Sequence, residues 1–392
     1  MKRNFDAIVI GLGGMGSAAA YHLAARGAEV LGLDRYGPAH DRGSSHGGSR
    51  IIRQSYHEDP HYVPLVLRAY ELWRQLEQDT GTSLLQITGG IYVGAPDSDV
   101  VRGSLLSASM HGLPHEFLTA SEVRNRIPAM QPGAKDAAVY ESNAGIVRPE
   151  RAVTAFLQGA TRHGADLHFD EPVYSWEITS AGTARVTTAQ GVYEAAKLIL
   201  APGAWASETF PGLDLPLVVR RHVMAWFDPI GGIEPFLPDR FPIYLWQASP
   251  DCLFYGFPAI DGPGGGVKVA MHFGGDLCTP ESINRKITHQ DEQELRDQIT
   301  SRLPLLDGPL LAASTCMYTL TPDEHFVVGL HPEHPCVAIG CGFSGHGFKF
   351  ASVIGEILAD LALEGETRHS IEFLSPERFR KTAASVLRTI GN

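Results

Sequence analysis

Residues 5–10, apolar except for Asp6, show no alternation, the pattern of a strand buried on both faces of a parallel sheet. The turn Gly11-Leu12-Gly13-Gly14-Met15-Gly16 follows, then a small-residue helical stretch over 17–26, a stop at Gly27, and a second apolar run over 28–33 that ends in Asp34. These segments predict a complete βαβ unit with a GxGxxG turn. Gly11 suits the tight turn, Gly13 lets the backbone approach a pyrophosphate, and Gly16 lets helix and strand pack closely. Further on, apolar residues at Val63, Leu65, Val66, Ala69, Tyr70, Leu72 and Trp73 predict a helix over 60–78. Strands are expected around Gly89-Gly90, a short capped helix over 121–127, a helix over 149–163, and a strand after 165–170. A hairpin over 173–188 closes at Ser180-Ala181-Gly182, and 196–200 reads as a buried strand. Residues 215–320 read mostly as strand and turn, with one polar helix over 290–303. A strand over 336–339, a glycine-rich turn over 340–347 and a helix over 348–363 complete the pattern. There is no internal repeat and no linker that separates domains cleanly. An α/β unit, a β-rich middle and a return to α/β interleave.

At 392 residues the chain exceeds a single hydrophobic core, so two or three core units are expected. The net charge of −12 argues against nucleic acid or an anionic membrane surface as partner. The cysteines Cys252, Cys278, Cys316, Cys336 and Cys341 are odd in number and form no CxxC pair, which argues against a disulfide framework or a zinc knuckle. Reduced thiols, the absence of a signal peptide ahead of the first strand, and a C-terminus without a peroxisomal address make the cytoplasm the expected location. No apolar run approaches the roughly 20 residues that span a membrane. His57 and His61 are four apart, but Pro60 disfavours a helix there, so no metal site is expected.

Asp34 stands where a carboxylate binds a ribose 2′-hydroxyl and disfavours a 2′-phosphate. A second feature, Gly43-Ser44-Ser45-His46-Gly47-Gly48-Ser49-Arg50-Ile51-Ile52-Arg53, is a flexible cationic loop that suits a substrate carboxylate or a cofactor ring gaining negative charge. A solvated basic turn would read the same way. In 266–273, alternation places Val267, Val269, Met271 and Phe273 on one face of a strand and Lys268, Ala270 and His272 on the other. That face could meet water or a cavity. Only seven of the 32 basic residues are lysines, so a lysine in an apolar strand is an uncommon choice here. Cys316 alone reads as a small core residue. In 342–349, a glycine-rich turn with Ser344, Gly345 and Gly347 enters a helix and forms a second amide-and-dipole anion site. Lys349 then falls in the first helical turn, against the dipole's preference.

The GSSHGGSRIIR run at 43–53, CMYT at 316–319 and SGHGFKFAS at 344–352 resemble the monomeric sarcosine oxidase and N-methyltryptophan oxidase family. These are FAD enzymes with a D-amino-acid-oxidase-like fold, and the resemblance runs from residue 5 to about 379. It implies a Rossmann-type FAD-binding domain (1–80, 145–213 and 321–385) interleaved with a mainly β-sheet substrate domain (81–144 and 214–320). It also implies FAD held covalently, 8α-S-cysteinyl, at Cys316. Arg53 and Lys349 would grip the substrate carboxylate, and Lys268 would activate O2. His272, Tyr255 and Tyr318 would line the substrate pocket, with His46 and Arg50 close to the flavin ring. Ser45-His46 stands where relatives often have two histidines, which leaves the role of the first position open. The implied reaction converts an N-methyl amino acid, O2 and water to the amino acid, formaldehyde and hydrogen peroxide. Oxidation of pipecolate or a fructosyl amino acid, or a flavin dehydrogenase using another acceptor, are the alternatives. A monomer is implied.

Overall fold

The computed structural model describes residues 4–209, 213 and 215–379. The C-terminal residues 388–392 and the domain segment 380–385 lie outside them, as do 210–212 and 214. The first sheet is built on the strand Asn4–Ile10. It pairs in parallel with Val30–Leu33 on one side and Val192–Leu200 on the other. Asp166–His168 extends the Val30–Leu33 side in parallel. The far edge of Val192–Leu200 is shared: its first half pairs antiparallel with Ala184–Thr188, and its last residues pair parallel with His334–Cys341. Strand alternation divides this sheet between two cores. Ala7 and Val9 pack toward the helices Gly14–Ala25, Val63–Thr80, Pro149–Arg162 and Ala351–Leu363. Ile8 and Ile10 pack on the opposite face, with Val186, Leu198 and Ile339.

Among the described residues the second sheet carries nine strands, mostly antiparallel. Its long strands Val218–Phe227 and Leu310–Leu320 pair with each other, and Val267–Met271 lies on the other side of Val218–Phe227. A third, three-stranded sheet joins Arg50–Ile52, Gly145–Val147 and Leu85–Ile87. The expected Lys268/Ala270 face holds: Val267 and Val269 enter one core, whereas Ala270 packs with Met224 and Cys316.

Two local expectations are corrected. Residues 348–363 are not one helix. A 3₁₀ turn, Phe348–Phe350, precedes the α-helix Ala351–Leu363, because Phe350 N–H bonds back to Gly347 O and Lys349 O accepts the Trp73 indole at 2.9 Å. Lys349 is therefore in a turn and not in the first turn of an α-helix. The helix Asp99–His111 was not expected at all. It packs so closely on the loop at 56–60 that a Cβ on Gly103 would meet His57 O at 2.3 Å.

Candidate active site

A cavity of about 600 Å³ runs from Asp34, Trp176 and Trp205 to Tyr255, His272 and Lys349. Its first end is the glycine turn. Gly11 has φ +86°, and a Cβ on Gly16 would lie 1.7 Å from Gly11 O, so neither position tolerates a side chain. A Cβ on Gly13, by contrast, meets nothing nearer than Ser45 Oγ at 3.8 Å. The helix Gly14–Ala25 has no cap from its N-cap residue Gly13; Ser45 Oγ accepts from the Gly14 amide at 3.1 Å, and the positive end of the dipole is left for an anion. Asp34 lines this end while its carboxylate accepts the Leu12 and Tyr36 amides, at 2.7 and 2.9 Å. Ser344, Gly345 and Gly347 line the same cavity.

At the middle, Glu150 accepts the Gly47 and Gly48 amides at 2.6 and 3.0 Å and fixes the cationic loop. Arg50 donates to Ser49 O and Ser44 O, and its Nη2 lies 3.6 Å from the buried Sγ of Cys316. His46 is buried beside them with Nε2 unpaired among the described residues. Burial, then Arg50, pushes it down to about 4, so its ring is neutral. Lys268 departs from expectation. It does not line the cavity; its ammonium donates to Gly47 O (2.8 Å), Ser49 O (2.9 Å) and Ser49 Oγ (3.2 Å) behind the loop. A buried ammonium needs such acceptors, and burial still holds this lysine well below its ordinary range.

At the far end Arg53 and Lys349 converge, as expected, but Arg53 is already paired. Its Nη2 touches both oxygens of Glu58, at 2.6 and 2.5 Å. Burial alone would raise the Glu58 carboxyl; Arg53 and His57 outweigh it and hold the group well below its usual range. Lys349 donates to His346 O at 2.6 Å. Burial, then Arg53, pushes it down to about 7. Tyr255 and Tyr318 join through their hydroxyls at 3.1 Å, and His272 lines the same wall. Burial brings His272 to about 4. His222 stacks on Tyr318 with centroids 3.8 Å apart.

The fold thus brings Arg50, Arg53, Lys349, Tyr255, Tyr318 and His272 to one cavity, with Cys316, His46 and Lys268 directly behind its wall. Sequence reasoning missed Glu58, Glu150, Tyr56 and the role open to His346. The one signal for Glu58 was an acid close after Arg53 and just before the Pro60 turn. The glycine cradle, the helix N-terminus, Asp34 and the orphaned His46 nitrogen together fit a dinucleotide with a redox-active ring.

Residues 6–361 match the model of the family described as DAO, FAD dependent oxidoreductase. The chain is 53% identical over 385 residues to a monomeric sarcosine oxidase of Streptomyces avermitilis, covering 98% of this chain and all of that one. It is 35% identical over 379 residues to an N-methyl-L-tryptophan oxidase of Yersinia pestis, covering 96% and 100%. Among solved structures, a variant of NikD, described as an unusual amino acid oxidase essential for nikkomycin biosynthesis, superposes with a TM-score of 0.84 at 24% identity, over 96% of this chain and 98% of that one.

Proposed function

The chain belongs to the family of FAD-dependent oxidoreductases that includes the monomeric sarcosine oxidases and N-methyl-L-tryptophan oxidases, and from that premise we propose that it demethylates an N-methyl amino acid. The observation that carries this reading is the meeting of Arg53 and Lys349 with the Tyr255–Tyr318–His272 wall, at the opposite end of one cavity from the glycine turn. Two cations suit a carboxylate, and the wall between them and Arg50 leaves room for a secondary amine.

FAD, when bound, would take the two electrons of an N-methyl C–H bond and pass them to O2; the imine left behind is hydrolysed to formaldehyde and the amino acid, so peroxide is the expected coproduct. The residues do the rest. Gly11, Gly13, Gly16 and the helix amides would hold the pyrophosphate, and Asp34 the ribose. Ser344, Gly345 and Gly347 would border the ring, and Cys316 would carry it covalently. Arg50, beside Cys316, supplies positive charge where negative charge builds. The neutral His272 can accept a hydrogen bond from the substrate amine, which must react as the free base. Lys268, held at the loop carbonyls, would place an ammonium where oxygen is reduced. A cytoplasmic monomer with the discontinuous division 1–80, 145–213 and 321–385 against 81–144 and 214–320 accords with this reading. No helix among the described residues is long and apolar enough to cross a membrane.

The test is a visible spectrum of purified protein followed by anaerobic titration with N-methyl amino acids, pipecolate and a fructosyl amino acid. Bleaching by an N-methyl amino acid, with stoichiometric peroxide on aeration, is expected. A colourless protein, or bleaching without peroxide, would overturn the oxidase reading.

A further inference from the structure

Tyr56 is fully buried between the two cations of the clamp. The Arg53 guanidinium lies over its ring at 4.2 Å, and Lys349 Nζ is 5.1 Å from the same ring centre. Its backbone carbonyl is held by Ser107 Oγ at 2.5 Å. Its hydroxyl bonds to His346 Nδ1, and Lys349 Nζ lies 3.5 Å from that hydroxyl, the outer edge of hydrogen-bonding reach.

The direction of these bonds follows from His346. Its Nε2 lies 3.0 Å from Glu324 O, which can only accept, so Nε2 carries the proton. Burial pushes this imidazole down to about 3, so it is neutral and Nδ1 is bare. Nδ1 therefore accepts the Tyr56 proton, and the Tyr56 oxygen is free to accept from Lys349. His346 O accepts a second Lys349 proton at 2.6 Å.

We propose that Tyr56 and His346 are a positioning pair that ties the Arg53 end of the clamp to the Lys349 end and keeps Lys349 protonated for a carboxylate ligand. The proposal rests on reading the cavity as an amino-acid site. The groups facing Lys349 are Arg53, Glu58, His57, His272, His346 and Tyr56. The histidines sit at about 3 to 4 and are neutral throughout the range of interest. Tyr56 is raised well above its ordinary value by burial. Lys349, near 7, is thus the group whose charge changes between pH 6 and 9.

The experiment is acetate binding to the holoenzyme, read from the flavin absorbance between pH 6 and 9. In the unmodified protein the affinity is full below about pH 7 and falls above it, because the bound anion needs the ammonium. Tyr56→Phe keeps the ring but removes the acceptor, so the falling limb should move about one pH unit lower, the scale of one hydrogen bond to a charged group. At pH 6 affinity should fall only about twofold; at pH 8 it should drop about tenfold. His346→Ala should shift the limb likewise, and His346→Asn, which can still accept and donate, should restore it. An equal loss at every pH with an unmoved limb means Tyr56 merely packs, and overturns the proposal. Lys349→Met is measured in parallel. If it binds acetate as the unmodified protein does, the clamp itself is wrong and the pair falls with it; if it loses the limb while Tyr56→Phe does not, only the pair is wrong.

Discussion

Arg53 and Glu58 face each other inside the cavity, one guanidinium nitrogen against both carboxylate oxygens. An incoming carboxylate must compete with one the protein supplies itself. Glu58→Gln leaves a weaker, neutral competitor, so simple carboxylates should bind about tenfold tighter, the order of a charge-assisted against a neutral hydrogen bond. Titration of the holoenzyme with acetate checks this. Weaker binding would mean that Glu58 holds Arg53 in place more than it occupies it.

The pH profile of kcat/KM should be a bell for an N-methyl amino acid. Its rising limb is deprotonation of the substrate amine. Its falling limb is Lys349, whose folded value of about 7 lies below the ordinary lysine value, so the cation is complete below that pH and lost above it. The decarboxylated amine should give the rising limb alone. A falling limb with both substrates would assign it elsewhere.

Cys316 should retain flavin in the protein pellet after acid precipitation, and Cys316→Ala should release it to the supernatant. Arg50 Nη2 lies 3.6 Å from Sγ, which puts a fixed positive charge beside the atom that would form the linkage. Yellow supernatant from the unmodified protein would exclude the bond.

Lys268→Met should slow the reaction of substrate-reduced enzyme with oxygen by about 10²-fold, the scale of losing one preorganised charge. Anaerobic reduction by substrate should suffer less. Because the ammonium also braces Gly47 O and Ser49 O, equal damage to both half-reactions would show that bracing the loop is its whole contribution.

What the sequence made legible followed its apolar spacing. The helix Val63–Thr80 buries Val66, Ala69, Trp73 and Leu76 at helical intervals and stops at a left-handed Gly81, and the hairpin at 173–188 forms, with Val173–Ile178 antiparallel to Ala184–Thr188. The helix Asp99–His111 blurs that signal. It buries Ser104 and Ser107 beside Val100, Val101 and Ala108 and exposes Leu106 and Met110 at 51% and 64%, so apolar spacing alone marks no single face. The same helix braces the segment carrying Tyr56 and Glu58, which is why that part of the site escaped notice. Alternation sets Lys268 apart from Val267 and Val269, but only the fold shows that His272, just past the strand's end, reaches the cavity while Lys268 stops at the loop carbonyls. The short motifs marked which residues matter; the pairing of Arg53 with Glu58 depends on side-chain geometry that no spacing records.

The shared edge of Val192–Leu200 also sets the order in which the molecule can be completed during synthesis. Ile199 finds its neighbour Ala338 only after most of the chain has left the ribosome, and the strand opening at Asn4 waits for Glu194. Pairings this distant close slowly, because the intervening loop must be gathered first. The middle sheet, whose strands at 218–227, 252–256 and 267–271 are near neighbours in sequence, can form while the cofactor cleft still lacks its last wall. A nascent chain halted before 334 would carry the glycine turn and the cationic loop but neither the turn at 344–347 nor Lys349. The cleft therefore has all its walls only once residues 344–349 have joined the rest.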